Sequence, residues 1–232
     1  YKTDVVPRLA PLVRRDLVRP DRPQLPHEDA YRFRHLLIRD AAYEALPKAV
    51  RAELHGRFAA WLEEHGESLV ELEEIVGYHL EQAARYLDEL GRPDQGIALA
   101  AGDHLGVAGQ RAFWRGDWRT ATGLLDRALS LTRSHRFDLR LEVELADALY
   151  WTDVARAAVV ANAAAERAAA EGTAVDAALA RAVAAQARFN NGQCSSDEVE
   201  RLAREALPLL EAAGDDDGLY HIWYALAWVA NM

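Results

Sequence analysis

The chain has 232 residues, half of them hydrophobic, which is enough for one large domain or two smaller ones with a substantial core. Its net charge is −10, but residues 1–60 hold 12 basic and 8 acidic side chains (+4), while the remainder holds 15 and 29 (−14). Because phosphate binding needs a basic face, the acidic carboxy-terminal body argues against broad nucleic-acid contact there.

The composition also favours a cytoplasmic location. A single cysteine, Cys194, excludes a disulfide framework and favours a reducing cytoplasm. There is no secretory leader, and no apolar run approaches the roughly 20 residues that span a bilayer, so we expect a cytoplasmic protein without membrane contact. The chain starts at Tyr1 and stops inside the apolar pattern YHIWYALAWVANM, so we expect it to be a piece of a longer protein.

Residues 1–46 differ in character from the rest of the chain. The stretch VVPRLAPLVRRDLV predicts a short helix running into a strand near Leu17 and Val18, and a proline-rich loop follows. In YRFR, Tyr31 and Phe33 alternate with arginines as in a half-exposed strand, after which HLLIRDAAYEAL takes up a helical period. The order helix, strand, loop, strand, helix predicts a small winged-helix-like segment.

From Pro47 onward the sequence predicts helices alone, beginning with a helical connector over residues 47–95. Pro47 suits a first helical turn, and the helix that follows carries an apolar stripe of Val50, Leu54, Phe58, Trp61 and Leu62. The next helix ends at Gly91, and its predicted inward positions are Leu72, Ile75, Val76, Leu80, Ala83 and Leu87. Without a sheet, these stripes must be buried against other helices.

Residues 96–232 contain a repeat. Aligning AFWRGDW, ALYWTDV, ARFNNGQ and LAWVANM brings into register four aromatic residues that are 37, 39 and 39 positions apart: Phe113, Tyr150, Phe189 and Trp228. A period in this range predicts stacked helical hairpins. The first hairpin, with its turn at Gly116 and Trp118, resembles the tetratricopeptide (TPR) pattern at Leu105, Ala108, Gly109, Ala112, Ala121, Leu125 and Ala128. The predicted fold class is therefore all-α, a TPR-like helical-hairpin superhelix preceded by a winged-helix-like segment.

Sequence motifs for catalysis or metal binding are absent. There is no G-x-x-x-x-G-K-[ST] loop, no H-E-x-x-H and no Cys-x-x-Cys, and the eight histidines include no pair spaced three or four residues apart. Ser195 and Ser196 precede an acidic residue and an apolar run, a pattern that indicates helix capping rather than a nucleophile. We expect no catalytic residue, no metal and no cofactor held by this chain.

A second pattern lies within residues 31–63. Its positions are Phe33, His35, Leu37, Ile38, Arg39, Asp40 and Tyr43, followed by Arg51, Leu54 and His55. The stretch resembles one found after the ATPase core of bacterial STAND-type signalling ATPases, which include predicted ATPases fused to class III adenylate or guanylate cyclases and large LuxR-type transcriptional regulators. In those proteins a P-loop ATPase precedes a winged helix and TPR-like repeats, so the resemblance implies an upstream domain that binds ATP or ADP.

The resemblance also implies a role for two residues. A winged-helix histidine in related STAND proteins contacts the phosphates of bound ADP and holds the closed state, which makes His35 the candidate nucleotide sensor, supported by Arg39. An imidazole at a strand-to-helix junction can donate to a phosphate oxygen. The alternative is that His35 caps this junction or packs in the core of its segment.

The repeat predicts a binding face. First helices line the concave side of a TPR array, and the alignment places five residues there: Phe113, Trp114, Asp147, Tyr150 and Trp151. Aromatic and polar side chains in a row suit binding of a peptide, a partner helix or a small effector. The alternative role for these aromatic residues is packing between hairpins, and this is the role that we expect for Trp118.

These observations predict a non-catalytic regulatory and protein-interaction arm of a STAND-type ATPase that acts in signal transduction or transcription. The rival is a DNA-binding winged-helix module whose repeats serve dimerisation or partner binding. It is favoured by the +4 charge and by five arginines of the first segment: Arg8, Arg14, Arg15, Arg19 and Arg22.

Overall fold

The computed structural model of the chain describes residues 5–23, residue 25 and residues 29–231. This part of the chain forms eleven helices and one two-stranded sheet, so the predominantly helical architecture is confirmed. It divides into two compact units, one extending to Ala101 and the other beginning at Gly102.

The first unit opens with α1 (Val5–Arg14), β1 (Val18–Asp21), β2 (Ala30–Phe33) and α2 (Leu36–Glu44), which is the predicted order of elements. The two strands are antiparallel, with Val18 opposite Phe33 and Asp21 opposite Ala30. Arg32 pairs with Asp21 across the strands at 3.1 Å, and Val18 is buried. Part of the predicted proline-rich loop, at residues 24 and 26–28, lies outside the described residues.

The first unit continues with α3 (Lys48–His65) and α4 (Leu72–Glu89), which pack against each other. The apolar stripe predicted for α3 is wrong in part, because Leu54 and Phe58 are exposed. The buried positions of α3 are Ala52, His55, Ala59 and Leu62. Small alanines let α3 approach α4 closely, so the helix turns this face inward and not the one with the largest apolar side chains.

The inward face predicted for α4 agrees better with the structure. Val76, Leu80 and Ala83 are buried, and the remaining predicted positions, Leu72, Ile75 and Leu87, are half-buried. Here the large apolar residues follow the helical period without a competing stripe, so periodicity alone identifies the buried side.

The second unit consists of helices joined by short turns. They are α5 (Gln95–Trp114, contributing its residues from Gly102), α6 (Trp118–Thr132), α7 (Leu139–Tyr150), α8 (Val154–Glu171), α9 (Ala174–Asn190), α10 (Ser196–Ala213) and α11 (Asp216–Ala230). Consecutive helices from α6 to α11 pack on each other, and α9 also packs on α7 and on α11. The four aromatic residues aligned in the repeat each lie within the last three residues of α5, α7, α9 or α11.

Capping residues fix where most of these helices begin. A side-chain oxygen accepts a hydrogen bond from the backbone N–H three residues later, at 3.0–3.3 Å, in seven places: Asp94, Asp117, Asp138, Asp153, Thr173, Ser195 and Asp215. Such a bond satisfies one of the backbone donors that a helix start leaves without a partner. The capping role predicted at Ser195 is confirmed.

The first hairpin of this unit is held by close packing between α5 and α6. Leu105, Leu125 and Ala128 are fully buried. A Cβ atom at Gly109 would lie 2.8 Å from Cγ of Leu125, so glycine is required for this approach. The chain reverses at Gly116, whose φ of +76° lies in the left-handed region that glycine adopts without strain.

Candidate functional site

Eight aromatic side chains of the second unit form a closed circuit of ring contacts, which we call the aromatic collar. Each ring contacts the next at a centroid distance of 5.0–6.3 Å, in stacked, tilted or edge-to-face geometry. In order around the circuit they are Phe113, Trp118, Trp151, Tyr150, Trp228, Tyr224, Tyr220 and Trp114.

The collar joins elements that are distant in sequence. Trp118, at the start of α6, stacks on Trp151 at the end of α7 with the two rings 14° from parallel. On the opposite side, α11 contributes Tyr220, which contacts Trp114 at 5.3 Å. Tyr150 and Trp228 meet edge to face at 5.7 Å and connect α7 to α11. The ends of two hairpins and α11 therefore meet around one opening.

A cavity of about 120 Å³ lies inside the collar. Six collar residues line it, namely Phe113, Trp118, Tyr150, Trp151, Tyr220 and Tyr224. Its polar lining comes from Asp147 on α7 and from Gln186 and Asn190 on α9. Among the described residues that line the cavity, none is a lysine or an arginine. The cavity therefore combines aromatic walls with one carboxylate and two side-chain amides.

Asp147 is held by a buried histidine. Its Oδ2 lies 2.8 Å from Nδ1 of His221 on α11. Burial by itself lowers the pKa of His221, but the hydrogen bond to Asp147 and the negative charges of Asp147 and Glu144 outweigh burial and raise it above the usual range. The pair ties α7 to α11 directly beneath the collar and fixes the carboxylate in the cavity wall.

Two further carboxylates of α7 are buried. Glu142 accepts hydrogen bonds from Arg133 at 3.1 Å and from Arg167 at 2.5 Å. Glu144 is 3% exposed and accepts a hydrogen bond from Gln110 at 3.3 Å, while its Oε2 is buried without a hydrogen-bond partner. Burial raises the pKa of Glu144. Neither residue stands out in the sequence, because both lie in an ordinary amphipathic stretch, LEVELAD.

The five residues predicted to bind a partner are brought together. Phe113, Asp147, Tyr150 and Trp151 line the cavity, and Trp114 borders it through its contact with Tyr220. Trp114 is 58% exposed, whereas Phe113 is only 6% exposed. Phe113 was expected on an accessible binding face, but its side chain is buried. It packs into the core of the first hairpin and also lines the cavity.

The packing role predicted for Trp118 agrees with its contacts, since it meets Phe113 and Trp151 and belongs to the same core. Sequence reasoning did not find Tyr220, Tyr224, Gln186 or Asn190. The repeat alignment pointed to the ends of the first helices, and α11 approaches the collar along its length instead. The aromatic spacing of Tyr220, Tyr224 and Trp228, one residue in four, was the available signal.

The predicted nucleotide-sensing residues lie at the surface of the first unit. His35 occupies the N-cap position of α2, but its side chain makes no capping hydrogen bond and is exposed, so neither structural alternative considered for it applies. Arg39 is also exposed and forms an ion pair with Asp40 at 2.7 Å. His35 directly precedes α2 in extended conformation and Arg39 is the fourth residue of this helix, so both lie near its N-terminal end.

Three motif residues, Tyr43, Arg51 and His55, form a cluster with His79 and Tyr86 that is not predictable from the sequence. The hydroxyl of Tyr43 lies 2.8 Å from Nε2 of His55 and 2.9 Å from the hydroxyl of Tyr86. His55 in turn lies 2.8 Å from His79, Nδ1 to Nδ1. Burial, together with the neighbouring His55, lowers the pKa of His79 to about 4, and burial lowers that of His55 as well. Both rings are therefore neutral at pH 7.

Arg51 completes this cluster and connects α2 to α3. Its guanidinium donates to the carbonyls of Leu46 at 2.9 Å and Glu44 at 2.7 Å, at the end of α2. It also lies 4.8 Å from the ring centre of Tyr43. The Y…R-x-x-L-H part of the motif thus has a structural explanation, because it joins α2 to the α3–α4 pair.

A scan of the chain against protein-family models finds no match, and a search among curated proteins finds no match either. Within the described residues, no group of three or more His, Cys, Asp or Glu side chains is arranged to hold a metal ion. None of the described helices combines the length and apolar character needed to cross a membrane.

Proposed function

We propose that this chain is a non-catalytic regulatory and protein-interaction arm of a larger STAND-type ATPase, and that it binds a protein partner or a small effector inside the aromatic collar. The observation that carries the proposal is the collar itself. Six of its eight rings line one cavity, and Trp151 of that lining and the collar residue Trp114 are both exposed, which is more than packing between hairpins requires.

We further propose that the arm consists of a winged-helix-like segment and a TPR-like superhelix. A winged-helix-like segment for residues 1–46 is supported by the order of α1, β1, β2 and α2, and a TPR-like superhelix for residues 96–232 by successive helix pairs whose aligned aromatic residues lie 37 to 39 positions apart. ATP or ADP is expected on an upstream domain. The exposed side chains of His35 and Arg39 suit contact with a nucleotide held outside this chain.

The proposed mechanism is a shift between two states of the ATPase. A ligand of the collar favours one state of the ATPase only if it binds that state more tightly than the other. By reciprocal linkage, the affinity for ADP then differs between the ligand-bound and the ligand-free protein. Because the collar is assembled from α5, α6, α7 and α11, a ligand that contacts several rings stabilises one arrangement of these helices.

Two observations test the proposal. The coding sequence immediately upstream should contain a P-loop followed by a sheet-rich ATPase, and its absence would contradict the STAND assignment. A thermal-shift screen of cationic, anionic and neutral small molecules and peptides should yield a ligand whose effect disappears in Trp151→Ala and persists in Trp223→Ala. Trp223 is the matched control, because both side chains are 54% exposed and Trp223 lies outside the collar.

A second candidate function, DNA binding by the first segment, is favoured by the exposure of the five arginines Arg8, Arg14, Arg15, Arg19 and Arg22. Phosphate contacts of this kind weaken steeply with salt. A gel shift at low salt that is lost as salt rises would support this function, and the absence of any shift at low salt would end it.

A further inference from the structure

We infer that the cavity inside the aromatic collar binds a compact organic cation, an alkylammonium or guanidinium group, with Asp147 as its counter-ion. This inference rests on the proposed binding function of the collar and specifies the chemistry of its ligand. Three properties of the cavity carry it: its aromatic lining, the sign of its charge and its size.

Aromatic rings dominate the wall. Trp118, Tyr150, Trp151, Tyr220 and Tyr224 all line the cavity. The face of each ring carries a negative partial charge, and a cation within about 6 Å of the centroid is attracted to it, most strongly by indole. These five rings line one small space, and a wall rich in aromatic rings is typical of sites that recognise quaternary ammonium and alkylated lysine groups.

The only charged side chain in the described lining of the cavity is negative. Asp147 is the carboxylate of the cavity, and the described lining contains no arginine or lysine that would attract an anion. His221 binds Oδ2 of Asp147 and, when protonated, offsets part of its charge, yet a carboxylate has about four lone-pair sites and so can accept further donors. The surrounding unit is acidic as well, since residues 102–231 hold 13 basic and 19 acidic side chains, a net charge of −6.

The size of the cavity selects a head group and not a whole peptide. Its volume of about 120 Å³ is close to that of an engineered cavity of roughly 150 Å³ that holds one benzene molecule. A trimethylammonium or guanidinium group matches this volume. The amide oxygens of Gln186 and Asn190 can accept N–H donors of a guanidinium or primary ammonium group, while the rings contact its alkyl carbons.

The test compares ligands that differ in charge but not in shape. Isothermal titration of the 232-residue chain with choline and with its uncharged isostere 3,3-dimethylbutan-1-ol isolates the contribution of the positive charge. We expect choline to bind at least tenfold more tightly than the isostere. N-acetyl-arginine amide and N-acetyl-lysine amide form the second arm: tighter binding of these identifies a side chain of a protein partner as the source of the cation, and tighter binding of choline identifies a small effector.

Variants locate the site. Asp147→Asn keeps the shape of the side chain and removes its charge, so it should weaken cation binding at least tenfold while leaving the isostere unaffected. Glu166→Gln, which removes an exposed charge from α8 of the same unit, should change neither. Trp151→Ala should abolish cation binding and Trp223→Ala should not. Circular dichroism checks the fold of each variant. If Asp147→Asn disturbs the contact with His221, the Trp151→Ala variant still tests the site, because Trp151 is exposed and its replacement does not touch this contact.

Three outcomes of these titrations overturn the inference. They are equal binding of choline and its isostere, cation binding that survives both Asp147→Asn and Trp151→Ala, and no binding of any of the four probes at millimolar concentration. An anionic or neutral ligand that requires Trp151 would also overturn it and would leave the proposed binding function intact. A collar that binds none of the classes in the wider screen contradicts the proposed function itself.

Discussion

The hydrogen bond between His55 and His79 predicts that acid weakens the first unit in a defined pH window. Each ring uses Nδ1 in this contact, so one nitrogen must accept and the pair cannot be doubly protonated without losing the bond. The pKa of His79 is lowered to about 4 in the folded chain, against about 6.5 when unfolded. The unfolded state therefore binds the extra proton first, and folding stability falls as pH drops from about 6.5 towards 4.

The magnitude follows from the size of this shift. A group with a pKa of about 4 folded and about 6.5 unfolded contributes about 2 kcal/mol of stability at pH 7.5 that is lost by pH 5. Because His79 is only half-buried, solvent screens part of this effect, and we expect a loss of about 1 kcal/mol. Above pH 7 the contribution is fully present and stability should not change through this pair.

Two measurements check this prediction. Proton NMR of the His79 ring gives its pKa directly, and urea unfolding at pH 7.5 and pH 5 gives the change in stability. His79→Gln should reduce the difference between the two pH values, whereas His35→Gln, at an exposed position of the same unit, should leave it unchanged. A His79 that titrates near 6.5, or a pH dependence unaltered in His79→Gln, would refute the reasoning.

Three further predictions concern packing, capping and sensing. Leu125→Ala removes a fully buried side chain from the first hairpin and should lower the free energy of unfolding by about 3 kcal/mol in urea titrations, whereas the exposed Leu209→Ala should cost less than about 1 kcal/mol. Asp117→Ala removes the N-cap of α6 and should lower the urea midpoint in the same assay; an unchanged midpoint would show that the cap contributes nothing. His35→Ala in the full-length protein should weaken ADP binding and raise basal activity if His35 senses nucleotide, and unchanged ADP affinity and basal activity would remove that role.

The sequence predicted those features that recur at fixed spacing. The helical hairpins of the second unit follow from aromatic residues 37 to 39 positions apart and from small residues at Ala108, Ala112, Ala121 and Ala128, all buried as expected. The short helix and strand of the first segment follow from local composition. Such patterns depend on neighbours within one or two turns, so they are readable without tertiary information.

Features that depend on contacts between distant residues were missed. His55 and His79 are 24 residues apart and meet only because α3 packs on α4, and Asp147 and His221 meet only through α7 and α11. The inward face of α3 was misassigned because Leu54 and Phe58 outweigh Ala52 and Ala59 in hydrophobicity, although the alanines permit the closer approach.

The binding face lies between these two cases. The repeat alignment selected the ends of the first helices and so reached Trp114, Tyr150 and Trp151. The alignment did not predict that α11 closes the circuit with Tyr220 and Tyr224. A first helix that follows the repeat contributes only residues at its C-terminal end, whereas Tyr220 and Tyr224 lie earlier in α11. Closure of the collar is a tertiary property of the last helix.

The central claim, that a ligand of the collar regulates an attached ATPase, is tested most directly by the ADP affinity of the full-length protein with and without a saturating collar ligand. We predict that the ligand changes ADP affinity in the wild type and in Trp223→Ala, and that Trp151→Ala abolishes the change. An ADP affinity that does not respond to the ligand, or a response that persists in Trp151→Ala, would contradict the account.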